Sequence, residues 1–173
     1  MIIQLQLGPM ENFCYIIYDK KSKEGAVIDP GWEIGELVSK IEKEKIKIKY
    51  ILLTHLHFDH SQGIRQLKKK VGGEIVSSNK EPGSEFLEKI VKEGDELLLG
   101  KEKIKVVEVP GHSQGGLCFI FEEGLFTGDT YFKEGIYGRS DFPGGNEKDL
   151  EQSIERIKEF IKKGYKVYPG HDY

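Results

Sequence analysis

The sequence predicts a mixed α/β fold of the α+β kind, with two β-sheets covered by helices on their outer faces. Three observations support this prediction. Short apolar strands alternate with amphipathic helices in the first part of the chain, a run of short strands begins after Gly94, and one long amphipathic helix leads into a last strand. No low-complexity linker separates these parts, so we expect a single domain over residues 1–173.

In the first part of the chain, strands and helices are distinguished by the spacing of their apolar residues. Gly8-Pro9 separates the first two strands, and Gly31 ends the third before a helix begins. The predicted strands are residues 2–7, 13–18, 26–28, 45–53 and 74–77. The predicted helices carry the stripes Ile34, Leu37, Val38 and Ile41; Ile64, Leu67 and Val71; and Phe86, Leu87, Ile90 and Val91, the last with Ser84 as its N-cap.

The second part is predicted to be a meander followed by one helix. Its short strands, joined by Gly-containing turns, are residues 97–99, 104–109, 117–121 and 125–127. Asn146 is the predicted N-cap of the last helix, and Gly164 ends it. One face of this helix carries the apolar stripe Leu150, Ile154, Ile157 and Ile161, and the strand 165–168 follows.

Composition and charge exclude several classes of protein. The chain is 38% hydrophobic and 32% charged, as in globular proteins, and its net charge of −3 gives no reason to expect a nucleic-acid partner. No apolar run approaches the length of a membrane span and the N-terminus lacks a signal-peptide pattern, so we expect a cytoplasmic protein with no membrane partner. Cys14 and Cys118 lie in apolar strands and are predicted to be small buried hydrophobes, with a disulfide or redox pair as the alternative.

The segment 54–60, Thr-His-Leu-His-Phe-Asp-His, contains three histidines and an aspartate directly after an apolar strand. Imidazole and carboxylate are ligands for zinc and related divalent ions, and a strand-to-helix turn can direct several of them to one point. The remaining histidines, His112 and His171, each lie in a Pro-Gly-His tripeptide at the end of an extended run. A lone histidine is more often a hydrogen-bonded structural residue, but this shared setting favours a common site for all five.

Four motifs together resemble the metallo-β-lactamase fold superfamily. They are residues 52–63 with the pattern HLHFDHSQG, residues 109–113 with VPGHS, residues 125–130 with LFTGDT and residues 168–171 with YPGH. The resemblance implies a four-layer αββα sandwich with a dinuclear metal site at the sheet edge. It leaves open whether the last C-terminal element of that sandwich is present in a chain ending at Tyr173.

The resemblance also implies which residues bind metal. One ion would be held by His55, His57 and His112, a second by Asp59, His60 and His171, and Asp129 would bridge the two. Without the resemblance, Thr127-Gly128-Asp129-Thr130 is a turn that contains a carboxylate, so the role of Asp129 depends on it entirely.

Within the superfamily, the chain is most similar to the hydroxyacylglutathione hydrolases (glyoxalase II) and their single-domain relatives. Other branches of the superfamily carry Arg at position 60, Cys at position 129 or Glu at position 57, whereas this chain has His60, Asp129 and His57. The loop Gly138-Arg139-Ser140-Asp141-Phe142 is similar to a glyoxalase II motif. The resemblance implies substrate contacts for Arg139 and Tyr173. Asp141 replaces a Tyr of that loop, and Arg139 is equally consistent with a structural arginine that ties the loop to a carbonyl or carboxylate.

The implied function is a metal-dependent hydrolase that cleaves a thioester, such as a hydroxyacylglutathione. A metal-bound hydroxide would be the nucleophile, and Asp59 would orient that hydroxide and take its proton. Two divalent ions are expected, zinc first, with iron or manganese as alternatives, and the partner is a small-molecule substrate. The alternative is a mononuclear-iron persulfide dioxygenase of the same superfamily. The acyl group, thiol carrier, physiological metal, oligomeric state and continuation of the chain past Tyr173 stay open.

Overall fold

The structure, a computed structural model, describes residues 1–172, so the predicted contact residue Tyr173 lies outside the described part. Four α-helices are present within it: α1 (Ile34–Lys43), α2 (Phe58–Ser61), α3 (Ile64–Val71) and α4 (Glu147–Lys162). The strands are β1 (Ile2–Leu7), β2 (Asn12–Tyr18), β3 (Glu24–Ile28), β4 (Lys47–Leu52), β5 (Glu74–Ser77), β6 (Lys89–Ile90), β7 (Glu96–Leu99), β8 (Glu102–Glu108), β9 (Leu117–Phe121), β10 (Gly124–Gly128) and β11 (Lys166–Pro169).

The strands form two sheets. The first has the order β1-β2-β3-β4-β5-β6, in which β1, β2 and β3 pair antiparallel and the remaining pairs are parallel. The second has the order β11-β10-β9-β8-β7 and is antiparallel except for β10 with β11. The alternation of strand and helix thus builds the parallel half of the first sheet, and the predicted meander builds most of the second.

Strand β2 shows why the fold has four layers. All seven of its residues are buried. Phe13, Tyr15 and Ile17 pack between the two sheets, whereas Cys14 and Ile16 pack on the outer face of the first sheet. Because successive side chains of a strand point to opposite faces, a continuously apolar strand must be covered on both sides.

The helices supply the two outer layers. Leu37 of α1 and Leu67 of α3 are fully buried against the outer face of the first sheet, and Ile157 of α4 packs on the second sheet beside Cys118. Asn146 caps α4, since its side chain accepts a hydrogen bond from the backbone N–H of Asp149 at 3.1 Å. The predicted αββα sandwich is therefore confirmed, and both cysteines are buried and free as predicted.

The helix predicted to begin at Ser84 is wrong. A single 3-10 turn spans Ser84–Phe86, and the chain then enters β6, which pairs in parallel with β5. Ile90 is 54% exposed and Val91 is buried between the sheets, so these residues follow the alternation of a strand. The apolar spacing suited a helix, but sheet hydrogen bonds to Val76 and Ser77 decide the conformation.

No helix in residues 1–172 combines the length and the apolar character needed to span a lipid bilayer.

Candidate metal centre

The seven predicted ligands come from four separate segments that meet at one end of the sandwich. His55 and His57 follow β4, and Asp59 and His60 lie in α2 directly after them. The other three residues each follow a different strand, namely His112 after β8, Asp129 after β10 and His171 after β11. The short helix α2 allows four residues close in sequence to face the same point as the three distant ones.

The side chains form two groups, each able to hold one metal ion. The ligand atoms of His55, His57 and His112 all lie within 4.8 Å of one another, and His112 Nε2 is 3.0 Å from His57 Nδ1. The ligand atoms of Asp59, His60 and His171 also lie within 4.8 Å of one another. In this second group, His60 Nε2 is 3.2 Å from His171 Nε2, and Asp59 Oδ2 is 3.2 Å from the same His171 atom.

Asp129 lies between the two groups. Its Oδ1 is 3.2 Å from His60 Nε2, and its Oδ2 is 3.3 Å from His171 Nε2 and 3.7 Å from His112 Nε2. The structure therefore brings all seven predicted residues together. The Asp129 carboxylate is thus within 3.7 Å of ligand atoms from both groups.

The hydrogen bonds around the histidines define which ring nitrogen faces the site. His112 Nδ1 lies 2.7 Å from the carbonyl of Arg139, and His171 Nδ1 lies 2.9 Å from the carbonyl of Met10. Carbonyl oxygens only accept hydrogen bonds, so in both rings Nδ1 carries the hydrogen and donates it. In the neutral ring this leaves the lone pair on Nε2, which points to the site and can bind a metal.

Asp29 and Thr54 orient two further rings, those of His60 and His55. His60 Nδ1 donates to Asp29 Oδ2 at 3.1 Å. The Thr54 hydroxyl donates to the same oxygen at 2.6 Å, so it accepts from His55 Nδ1 at 3.0 Å. Sequence reasoning missed Asp29 and Thr54. The only available signal was that Asp29 directly follows a predicted strand. In the structure that strand is β3, which pairs with β4, the strand leading to the histidine cluster.

Two buried polar atoms support metal binding directly. His55 Nε2 and Asp129 Oδ1 make no hydrogen bond to any of residues 1–172, although both are shielded from solvent. Buried polar atoms without a partner are rare in proteins and are costly unless something satisfies them. A cation bound by lone pairs would satisfy both, so the residues present fit a divalent metal.

The pKa values of the site follow from burial and from the neighbouring carboxylates. Burial lowers the pKa of His55 and His57, which keeps these rings neutral and ready to bind a metal. Burial alone would raise the pKa of Asp59, but hydrogen bonds from His171 and His60 outweigh it, and the pKa lies well below its usual range. Burial also disfavours charge on His171, yet Asp129 and Asp59 raise its pKa to about 9. The carboxylates of Asp59 and Asp129 thus favour a positive charge among the ligand atoms of the second group.

Asn12 links Asp59 to the protein core and was also missed. The indole Nε1–H of Trp32 donates to Asn12 Oδ1 at 3.0 Å, so the amide nitrogen must face the other way, and it donates to Asp59 Oδ2 at 2.8 Å. Because indole can only donate, Trp32 defines the orientation of the amide. Asn12 is itself buried, and its backbone bridges to His171.

We expect Asn12→Asp to weaken metal binding by the group of Asp59, His60 and His171 by about 10–100-fold. The new carboxylate can still accept from Trp32, but it replaces the donor to Asp59 with a second negative charge. A competition titration with a chromogenic chelator measures this change. Asn79→Asp introduces the same charge at an exposed position and should leave both affinities unchanged. Equal affinities in the Asn12 variant would show that Asn12 does not position Asp59.

The glycines of the two Pro-Gly-His motifs are required for different reasons. A Cβ atom on Gly170 would lie 2.1 Å from Asp129 Oδ1 and 2.8 Å from His60 Cε1. Gly111 has a φ of 132°, and its Cβ would lie 2.2 Å from the backbone nitrogen of Leu150 in α4. One glycine therefore makes room for the candidate ligands, and the other lets the chain pass the N-terminal part of α4.

An open cavity of about 700 Å³ lies over the two groups, and Arg139 is part of its wall. The Arg139 guanidinium donates two hydrogen bonds to Asp141, at 2.8 and 2.6 Å, and lies 4.6 Å from the centre of the Phe142 ring. The arginine thus lines the cavity and also ties its own loop together. Its carbonyl orients His112, so this loop is coupled to the first group.

Comparison with known proteins gives a consistent result. A family model described as the metallo-beta-lactamase superfamily matches residues 7–171. The chain is 33% identical to a probable polyketide biosynthesis zinc-dependent hydrolase, PksB, of Bacillus subtilis, over 94% of this chain and 73% of that protein. It is 36% identical to hydroxyacylglutathione hydrolase 1 of Vibrio vulnificus, over 95% of this chain and 63% of that protein.

Solved structures show the same fold. The BLEG-1 B3 metallo-beta-lactamase superposes with a TM-score of 0.89 at 26% identity, covering 100% of this chain and 92% of that one. ETHE1 from Myxococcus xanthus gives 0.86 at 26% identity, with coverage of 100% and 76%. TTHA1623 in a di-iron-bound form gives 0.84 at 27% identity, with coverage of 99% and 92%.

Proposed function

This chain belongs to the metallo-β-lactamase superfamily, and we propose that it is a metal-dependent hydrolase that cleaves a thioester. One observation carries the proposal. Seven histidine and aspartate side chains from four segments converge under an open cavity, with imidazole lone pairs directed inwards. The names of two relatives, a zinc-dependent hydrolase and a hydroxyacylglutathione hydrolase, agree with this chemistry.

In this proposal, His55, His57 and His112 would hold one divalent ion and Asp59, His60 and His171 a second. Asp129, which lies between the two groups, would be available to either. Zinc suits this set of nitrogen and oxygen ligands, and iron or manganese are alternatives. When bound, such ions polarise a substrate carbonyl and lower the pKa of a coordinated water towards about 7. Asp59, held in place by Asn12, orients the attacking water and accepts its proton.

Removal and return of metal test the proposal. Dialysis against a chelator is expected to abolish hydrolysis of S-lactoylglutathione and of simple acyl thioesters, because no Ser or Cys nucleophile lies among the cluster residues. Zinc, added at two equivalents per chain, should restore activity, and metal analysis of protein purified without added metal should identify the native ions. Full activity in the chelated protein would refute the proposal.

A mononuclear-iron persulfide dioxygenase is the second candidate. The loop 138–142 and the compact group of His55, His57 and His112, which can hold one ion alone, favour it. The two candidates differ in metal content and in reaction. One iron per chain with oxygen uptake on glutathione persulfide would favour the dioxygenase, whereas two ions with thioester cleavage would favour the hydrolase.

A further inference from the structure

The mouth of the cavity is unusually apolar. Of the eight large hydrophobic side chains exposed in residues 1–172, five line this cavity. They are between 40% and 68% exposed and come from three segments: Met10, Phe58, and Ile136, Tyr137 and Phe142. We call these five residues the apolar rim. Scattered single hydrophobic residues are normal on a protein surface, but their concentration around one cavity indicates a binding surface.

The rim is continuous with the candidate metal centre. The Phe142 ring lies 5.6 Å from the ring of His57 and 6.1 Å from that of His112, beside the first ligand group. Phe58 lies between His57 and Asp59 in sequence. Met10 lines the cavity, and its backbone carbonyl accepts a hydrogen bond from His171 of the second group. A substrate whose carbonyl reached the ligands would therefore meet apolar side chains next to both groups.

The charges of the cavity wall do not suit an anionic substrate. Apart from histidines, Arg139 is the single cationic side chain among the described residues that line the cavity. Both of its hydrogen bonds to Asp141 would compete with a substrate carboxylate for the guanidinium. The wall also contains Glu81, which is buried and accepts a hydrogen bond from the backbone of Gly115. Glutathione carries two carboxylates and would find one arginine that is already paired.

We infer that the preferred substrates are thioesters with an apolar acyl chain on an uncharged thiol carrier. This inference rests on the proposed thioester hydrolase function and specifies its substrate class. The apolar rim would cover the acyl chain and remove it from water, which favours each additional methylene group. The cavity volume of about 700 Å³ is in the range that binds molecules of this size.

A series of N-acetylcysteamine thioesters tests the acyl preference with the zinc-loaded protein. From acetyl to hexanoyl, kcat/KM is expected to rise about twofold for each methylene, or at least about tenfold in total. Hexanoylglutathione should be cleaved no better than hexanoyl-N-acetylcysteamine, because its carboxylates gain no free cation. If kcat/KM does not change with acyl length although the acetyl thioester is cleaved, the inference is overturned while the proposed function stands. A tenfold preference for the glutathione carrier would have the same meaning.

Two variants connect the preference to the rim. Ile136→Ser should at least halve the ratio of hexanoyl to acetyl kcat/KM, and Phe58→Ser repeats the test from a different segment. Ile90→Ser is the matched control, because Ile90 is similarly exposed, at 54% against 48% for Ile136, and lies away from the cavity. An unchanged ratio in both rim variants would overturn the inference.

A binding measurement is independent of catalysis. The chain contains one tryptophan, Trp32, whose ring lies 6.1 Å from that of Phe58, so its fluorescence reports on the rim. S-Hexyl-N-acetylcysteamine, a thioether that cannot be hydrolysed, should bind at least about tenfold more tightly than its S-methyl counterpart. Equal affinities would overturn the inference even if thioesters were cleaved. If the protein is a dimer, and the rim variants dissociate it but keep the preference for long acyl chains, the rim is a contact between copies and the inference is wrong.

Discussion

Replacing Asp129 by asparagine is expected to lower kcat/KM for thioester hydrolysis by on the order of a thousandfold. Removing one preorganised electrostatic group from an active site typically lowers the rate by a similar factor. Asp129 lies within 3.3 Å of His60 and His171 and 3.7 Å of His112, so it is the carboxylate closest to both ligand groups. Under the proposed function, its loss would remove the carboxylate that lies between the two ligand groups. We therefore expect the variant to bind at least one metal ion fewer per chain than the unmodified protein.

Metal analysis by mass spectrometry and steady-state kinetics measure the two effects. Asp95→Asn removes a carboxylate of the same kind from the turn before β7, away from the cavity, and should leave the metal content unchanged. Circular dichroism is needed to show that the Asp129 variant is folded. Two bound ions with near-normal activity in Asp129→Asn would show that this residue does not join the two sites.

Replacing Asp29 by alanine is expected to reduce both stability and metal affinity. Asp29 is buried and accepts hydrogen bonds from the Thr54 backbone, the Thr54 hydroxyl and His60 Nδ1. Removing the carboxylate leaves these buried donors unpaired, which costs about 1–3 kcal/mol for each donor left unsatisfied. We expect the free energy of unfolding of the metal-free protein to fall by about 3 kcal/mol and metal affinity to fall about 10–100-fold.

Asp29→Asn and Asp19→Ala separate these two effects. Asp29 has a φ of 52°, which asparagine tolerates, so Asp29→Asn keeps the backbone. Its one neutral acceptor oxygen cannot serve the Thr54 backbone N–H on one side and also the Thr54 hydroxyl and His60 Nδ1 on the other. Its loss of metal affinity should be similar, with a smaller loss of stability. Asp19 is also buried and accepts two backbone hydrogen bonds in the turn after β2, so Asp19→Ala should reduce stability alone. Urea unfolding with chelator present and competitive metal titration measure the two quantities. Normal metal affinity in both Asp29 variants would contradict a role in orienting His60.

Most of the fold could be predicted because its signals are local. The burial of β2 on both faces and the start of α4 at Asn146 depend on patterns within a few residues. The segment after Ser84 is the exception. Its apolar spacing also fits a helix, and the pairing of β6 with residues of β5 that lie 13 positions earlier in the chain decides the outcome.

The candidate site divides in the same way. The histidine cluster and the two Pro-Gly-His motifs are visible in the sequence because their residue types and spacing are unusual. The contacts of Asn12 and Asp29 span 47 and 31 residues, and nothing local distinguishes these side chains from other turn and strand-end residues. The importance of Asp129 came from the family resemblance, and its position between the ligand groups became visible only in three dimensions.

Apart from the segment after Ser84, the sequence alone thus determined the order of the elements, two sheets with helices outside them, and the donor atoms available to a metal, because residue type and short-range periodicity carry that information. The tertiary structure decided which nitrogen of four histidines faces the site, that Arg139 is paired with Asp141, and that five exposed apolar side chains surround one cavity. These features depend on contacts between residues far apart in the chain. Only the packing of the two sheets and their helices brings such residues within hydrogen-bonding or van der Waals distance.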